Sequence, residues 1–331
     1  MRSGLAYIFP GQGSQHVGMG HSLLASAAAA AAFAEVDAAL GERLSASLFH
    51  GPPGALARTA ATQPALLAHS VAALRALQEA AAAAPPLPRP ALLLGHSVGE
   101  YAALVAGGAL GLGAAARLLR LRGEAMQRAG DAAGAPTAMA ALLFAPPARS
   151  LAALRSACDA ACARASQGPG SQVALAALNS PAQALLSGHA SAVARAVALP
   201  PLRLRRVVPL DVSAPFHSPL MAPAALELRS AIEALQPPLQ PLRAPLLCGW
   251  GAAPVSAPAD VAEALVRGVT EPVLWGPCAL AALGQGGSEF VEFGPGKGVL
   301  GALVRQCVPA GAAPVETHSL GAMEDVARYL A

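Results

Sequence analysis

The sequence predicts an α/β protein built in two parts, and three observations carry that expectation. Apolar runs of strand length end in glycine-rich turns at Leu5, Leu92 and Glu289 onward, as buried strands that hand over to helices do. The second of these runs ends in Gly95-His96-Ser97-Val98-Gly99, a G-x-S-x-G at a strand-to-helix turn. Between residues 137 and 210 the pattern becomes strand, helix, strand, strand, helix, strand, the order of a ferredoxin-like unit. Residues 1–134 and 208–331 are expected to form the larger, catalytic unit around a parallel sheet, with 135–207 inserted as the smaller one.

Taken in order, residues 5–9 read as a first strand closed by Pro10-Gly11-Gln12-Gly13-Ser14-Gln15. That loop has no G-K-[ST], so nucleoside triphosphate binding is not expected. Residues 26–40 read as a helix. Thr62-Gln63-Pro64 precedes a helix over 65–77, and Pro85-Pro86-Leu87-Pro88 turns into the strand before Ser97. After the elbow helix, a helix over about 113–128 carries Arg120, Arg122, Glu124 and Gln127, one of which is expected to face inward. Residues 130–136 read as a linker. The inserted unit then follows as strand 137–145, helix 148–166, strands 172–178 and 183–187, helix 190–199 and strand 202–210. Asp211 opens a loop in which prolines stand on both sides of His217, and a helix follows. A proline-rich connection over 237–245, a strand over 246–249, a helix over 261–267 and a strand over 289–293 complete the chain.

Composition bounds the function. A hydrophobic fraction of 54% against 12% charged residues supplies a large core, and a net charge of +3 with no block of like charge argues against nucleic acid as a partner. Apolar windows such as 101–116 and 132–148 are too short or too broken by glycine and proline to span a membrane. Five cysteines without a C-x-x-C pair indicate neither a disulfide framework nor a zinc site. With no secretory signal in the first ten residues, a soluble protein of a reducing compartment is expected, in a bacterial cytoplasm or a mitochondrial matrix.

The chemistry centres on Ser97. Glycines on both sides permit a strained turn that exposes the hydroxyl and aims the Val98 amide at an oxyanion forming beside it. A serine needs a base, and eight histidines compete for that role. His16, His21, His50, His69, His189 and His318 read as surface residues, and His96 as a support for the loop. His217, 120 residues after Ser97 and in a loop following a strand, fits the serine-before-histidine order of α/β hydrolases. No acid in the interval is convincing: Asp131 falls in the linker, Asp159 in the inserted unit, and Asp211 six residues before His217. Either a backbone carbonyl orients the imidazole or the hydrolase triad does not apply.

Seven stretches together resemble the malonyl-CoA:acyl-carrier-protein transacylases, relatives of polyketide synthase acyltransferase domains. They are Phe9-Pro10-Gly11-Gln12-Gly13-Ser14-Gln15, Thr62-Gln63-Pro64-Ala65, Gly95-His96-Ser97-Val98-Gly99-Glu100-Tyr101, Arg122-Gly123-Glu124-Ala125-Met126-Gln127, Asn179-Ser180-Pro181-Ala182-Gln183, Ser213-Ala214-Pro215-Phe216-His217 and Phe293-Gly294-Pro295-Gly296. They occur in the family's order and spacing over nearly the whole chain. The resemblance implies an α/β-hydrolase-like catalytic unit with the ferredoxin-like insertion. It implies that Ser97 is acylated with His217 as its base, that the amides of Gln12 and Val98 hold the oxyanion, and that Arg122 binds the malonyl carboxylate. Gln63 and Phe216 would contact substrate, and the backbone carbonyl of Gly268 would orient His217. Many members have glutamine in place of Gly268, and Leu247-Cys248-Gly249-Trp250 lacks the asparagines common there. Malonyl-CoA and the phosphopantetheine thiol of acyl carrier protein would be the substrates, with no cofactor, metal or membrane, in a monomer. A serine acyl hydrolase or thioesterase on the same scaffold, or a non-catalytic carrier-binding protein, are the alternatives.

Overall fold

Leu5–Phe9 (β1) lies at the centre of a six-stranded sheet ordered β10-β9-β1-β2-β7-β8. The remaining strands are Leu92–Gly95 (β2), Leu246–Leu247 (β7), Pro254–Val255 (β8), Glu289–Phe293 (β9) and Glu316–Leu320 (β10). All pairs in this sheet are parallel except β7 with β8. Every residue of β1, β2 and β9 is buried, as strands covered by helices on both faces must be. The computed structural model describes residues 4–52, 54–83, 87–145, 149–168, 170–199 and 202–331. Arg2, Pro85, Pro86 and the helix start expected at Ala148 lie outside the described residues.

The second sheet has four antiparallel strands, Thr137–Phe144 (β3), Val173–Ser180 (β4), Gln183–His189 (β5) and Leu204–Leu210 (β6), in the order β4-β5-β3-β6. Helices Leu151–Ala165 (α6) and Ala190–Val197 (α7) pack on it around a core of their own that includes Leu142, Leu154 and Leu186. This is the ferredoxin-like arrangement that the strand and helix order predicts, with β6 running on to Leu210. The small and large units meet where Val273 joins β4 through a parallel bridge to Ala177.

The helices of the large unit are Ala27–Leu40 (α1), Leu44–His50 (α2), Thr59–Ala80 (α3), Gly99–Ala106 (α4), Leu112–Asp131 (α5), Ala222–Glu233 (α8), Pro258–Thr270 (α9), Trp275–Gly284 (α10), Val299–Cys307 (α11) and Met323–Leu330 (α12). Helix α1 begins where Ser26 accepts from the Ala29 amide and ends at Gly41 in the left-handed region. Helix α3 starts at Thr59, earlier than Thr62-Gln63-Pro64 predicts, and carries Pro64 inside it. Proline supplies no N–H to the carbonyl four residues back, but the Arg120 Nε donates to that Ala60 oxygen at 2.8 Å. A side chain from α5 thus repairs the gap. Helix α5 also runs further than expected, to Asp131, so the linker is shorter than the sequence suggests.

Two of the histidines read as surface residues are buried. His69 on α3 donates from Nε2 to the Gly321 carbonyl at 3.1 Å, and burial pushes its pKa down to about 4. His189 accepts from the Gln172 amide at Nδ1 and donates from Nε2 to the Ala133 carbonyl, both at 3.0 Å. Each imidazole ties separate backbone segments together inside the protein. Nothing in the local pattern marks either one, because the partner carbonyls are 252 and 56 residues away in the chain.

Candidate active site

The carboxyl ends of β1, β2 and β9 carry three turns, Pro10–Gly13, Gly95–Ser97 and Gly294–Gly296, on one edge of the parallel sheet. Ligand sites of open α/β sheets collect at this edge, because the strands deliver loops and helix N-termini together there. The elbow needs its glycines for close approach. A Cβ at Gly95 would lie 2.2 Å from the Glu100 nitrogen, and one at Gly99 would lie 1.9 Å from the Phe9 carbonyl oxygen. Ser97 itself has φ 54°, the left-handed strain expected of an exposed nucleophile, and α4 starts two residues later.

His217 is the histidine brought to Ser97. Its Nε2 lies 2.9 Å from Ser97 Oγ, and its own backbone is left-handed at φ 54°. The loop carrying it is held by Ser218 Oγ donating to the Pro215 carbonyl at 2.6 Å, by Thr59 Oγ1 and Ser213 Oγ at 3.0 Å, and by Gln127 Nε2 donating to the Ser213 carbonyl at 3.3 Å. Burial, and then the charges of Arg122 and His96, push the His217 pKa down to about 3, while the backbone of Gly268 and then of Glu271 pulls it back up. The ring is therefore neutral at pH 7 and free to take a proton. Among the described residues no partner meets hydrogen-bond geometry at Nδ1, so the Gly268 and Glu271 backbones near the ring approach it without a well-formed bond.

Arg122 projects inward from α5 and donates from Nη2 to Ser97 Oγ at 3.2 Å. It is buried, and among the described residues it forms no salt bridge. Burial lowers its pKa, against the opposing pull of Tyr101 and Glu100. Its neighbour Arg120, two residues earlier, instead faces out to Glu42. Of these two arginines, Arg120 is spent on a surface ion pair and Arg122 is a buried cation whose planar fork suits a carboxylate.

Gln12 follows β1, and its side-chain oxygen accepts from Gln63 Nε2 at 3.1 Å. Gln63 is buried on α3 with its own oxygen unpartnered. Among the described residues the backbone amides of Gln12 and Val98 donate to no backbone carbonyl. Phe216 is buried beside His217 and lines a cleft of about 420 Å³ together with Gln12, His96, Asn179 and Ser213. A larger depression of about 960 Å³, lined by Arg58, Arg120 and Arg128, shares Thr59 with this cleft. Neither is lined by Ser97 or His217, but the smaller one is lined by their chain neighbours His96 and Phe216 and by Gln12.

The structure supplies a partner for His96, expected to support the loop, and adds Asn179, Gln183 and Glu100, to which no role was attached from sequence. His96 Nε2 meets Asn179 Oδ1 at 3.0 Å, and Asn179 Nδ2 donates to Gln183 Oε1 at 2.9 Å, so the elbow is tied to the β4–β5 turn of the small unit. The Asn179–Gln183 motif was visible in the sequence, but its partner was not. Glu100, in the first turn of α4, is buried as well. Gly268 sits in the last turn of α9.

The described helices include none long and apolar enough to cross a membrane, and no group of three or more His, Cys, Asp or Glu side chains that could hold a metal ion. The sequence profile of the acyl transferase domain matches residues 6–318. The chain is 37% identical over 306 residues to a malonyl CoA-acyl carrier protein transacylase of Bacillus subtilis (strain 168), covering 92% of this chain and 90% of that protein. Its fold is similar to that of an acyl carrier protein S-malonyltransferase from Vibrio cholerae, with a TM-score of 0.86, 35% identity and coverage of 99% and 100% of the two chains. It is also similar to a malonyl-transacylase solved in complex with its type II PKS acyl-carrier protein, with a TM-score of 0.86, 33% identity and coverage of 99% of both chains.

Proposed function

The chain belongs to the acyl transferase domain family, and from that premise we propose the course of its reaction residue by residue. The protein is an [acyl-carrier-protein] S-malonyltransferase, moving malonyl from malonyl-CoA to acyl carrier protein for fatty-acid synthesis. In the first half-reaction Ser97 Oγ attacks the thioester carbonyl while its proton passes to His217 Nε2. The amides of Gln12 and Val98 donate to the oxyanion. Collapse breaks the C–S bond, the CoA sulfur takes the proton from His217, and malonyl remains as an ester on Ser97. In the second half-reaction the carrier's phosphopantetheine thiol gives its proton to His217 and attacks the ester. Ser97 leaves and recovers the proton.

Arg122 holds the free carboxylate of the malonyl group, the only formal charge close to the reacting carbonyl. Its planar fork offers two charge-assisted hydrogen bonds, each contributing roughly 1.5–3 kcal/mol. Gln63 supports the Gln12 loop and faces substrate, Phe216 walls the α-carbon, and the Gly268 carbonyl orients the imidazole. Residues 1–134 with 208–331 act as the catalytic unit, and 135–207 closes the cleft from the other side. In this reading the protein acts as a monomer, and the steps above use only its own side chains and backbone amides. The five cysteines are free and buried, which suits a reducing intracellular compartment.

The observation that carries this reading is the position of Ser97 Oγ, 2.9 Å from His217 Nε2 and 3.2 Å from Arg122 Nη2. The test is incubation with malonyl-labelled malonyl-CoA, with and without holo carrier protein. Label on the carrier is the expected result, passing through a covalent adduct that survives denaturation. Release as free malonate at the same rate with or without carrier would make the protein a thioesterase. A Ser97→Ala protein that still holds label after denaturation would remove Ser97 from the mechanism.

A further inference from the structure

None of the aspartates between Ser97 and His217 approaches the base, but a glutamate of the same interval, Glu100, is buried against the backbone beside it. Glu100 is 4% exposed, in the first turn of the helix that Ser97 leads into, and its Oε1 accepts from the Gly249 amide at 2.6 Å. The Gly249 carbonyl in turn accepts from the Leu274 amide at 2.6 Å. A Cβ at Gly249 would stand 3.3 Å from Oε1, and one at Gly268 would stand 3.5 Å from Oε2. The carboxylate is thus wedged between two glycine backbones, and the second of them is the one that faces the His217 ring. A cation–π contact, Arg267 at 4.8 Å over Trp250, staples the same two segments from outside.

We propose that Glu100 is a positioning residue for the base: by holding the Gly249 and Gly268 segments together, it sets the backbone against which the His217 imidazole is oriented. It touches no substrate. Its effect passes through Gly268 to His217, as the aspartate of a serine triad acts through a direct bond. Burial supports a specific role. It pushes the Glu100 pKa up to about 7 against the opposing effects of the Gly249 amide and Arg122, and a core that only needed filling would hold an apolar side chain there. The other titratable groups that sense this carboxylate are Tyr101, Cys248 and Cys278.

This inference rests on the assignment of His217 as the base, and the experiment separates the two. Single-turnover acylation by malonyl-CoA is measured for Glu100→Met, which keeps volume but not the acceptor, and for Glu100→Gln, which keeps both. Each is made in wild-type and His217→Ala backgrounds. Glu100→Met is expected to slow acylation about tenfold or more, with KM for malonyl-CoA within about twofold of wild type and no further loss in the His217→Ala background. Glu100→Gln is expected to restore most of the lost rate. Should Glu100→Met not fold, Gly249→Ala replaces it: its Cβ displaces the carboxylate by tenths of an ångström, and about a threefold loss confined to the His217 background is expected. Equal losses in both backgrounds, a matching rise in KM, or no loss with either variant would overturn the positioning role. A His217→Ala protein that acylates at the wild-type rate would instead overturn the assignment of the base, leaving a different and recognisable result.

Discussion

Arg122 Nη2 donates to Ser97 Oγ at 3.2 Å from a helix face on which no carboxylate pairs with it among the described residues. A buried guanidinium with so few partners is costly to keep charged, and an anion brought against it offsets that cost. The proposed role of Arg122 in selectivity rests on that balance.

Arg122→Ala should lower kcat/KM for malonyl-CoA by about 100-fold, because charge-assisted hydrogen bonds of roughly 3 kcal/mol are lost. Transfer of acetyl should stay equal or rise, since no guanidinium is then left facing a methyl group. Steady-state kinetics with both donors checks the split. An equal fall for the two would make Arg122 structural.

His217→Ala should slow acylation at least about 100-fold, the usual effect of removing a general base, with the fold intact by circular dichroism. Unchanged single-turnover kinetics would point to another group.

The His217 pKa is depressed to about 3 from an ordinary 6.5, with the Arg122 charge second only to burial among the causes. A depressed histidine pKa means that the neutral base persists as pH falls, and activity is lost only as pH drops through the lowered value. Removing the cation should raise that value. With acetyl-CoA as donor, the acid limb of the acylation rate should therefore lie at higher pH in Arg122→Ala than in the wild type, and coincident limbs would contradict the coupling.

Phe216 is buried beside His217 and lines the cleft, and in the proposed mechanism it walls the α-carbon of the acyl group. Phe216→Ser should raise kcat/KM for methylmalonyl-CoA relative to malonyl-CoA by about tenfold, on the scale of one methyl group accommodated or rejected. A ratio unchanged from wild type would place the discrimination elsewhere.

Arg120 Nε satisfies the Ala60 carbonyl that Pro64 leaves without a donor. Arg120→Met should destabilise the protein by about 1 kcal/mol, the scale of one hydrogen bond lost to a partly buried carbonyl. In a Pro64→Ala background the restored amide should serve that carbonyl and shrink the loss. Urea unfolding of the four proteins completes the cycle, and equal losses in both backgrounds would refute the repair.

What the sequence by itself determined was local. A strand, a glycine pair and a helix in sequence oblige Ser97 to stand in a strained turn, because the neighbouring Phe9 and Glu100 backbones admit no Cβ at Gly95 or Gly99. The six-element pattern over the inserted unit, read from periods of two and 3.6, likewise emerged as the second sheet with its two helices. Helices α2, α10, α11 and α12, none longer than ten residues, went unread because each offers fewer than about three turns in which a period can show. The tertiary structure decided the rest, because those choices depend on contacts far apart in the chain. It buried His69 and His189, turned Arg122 inward and Arg120 outward on one helix, and set Glu100 against Gly249 across 149 residues. Periodicity reports which face of an element is apolar. It carries no information on which distant backbone group a buried polar side chain will meet, and in this protein those meetings hold the base, the cation and the nucleophile in place.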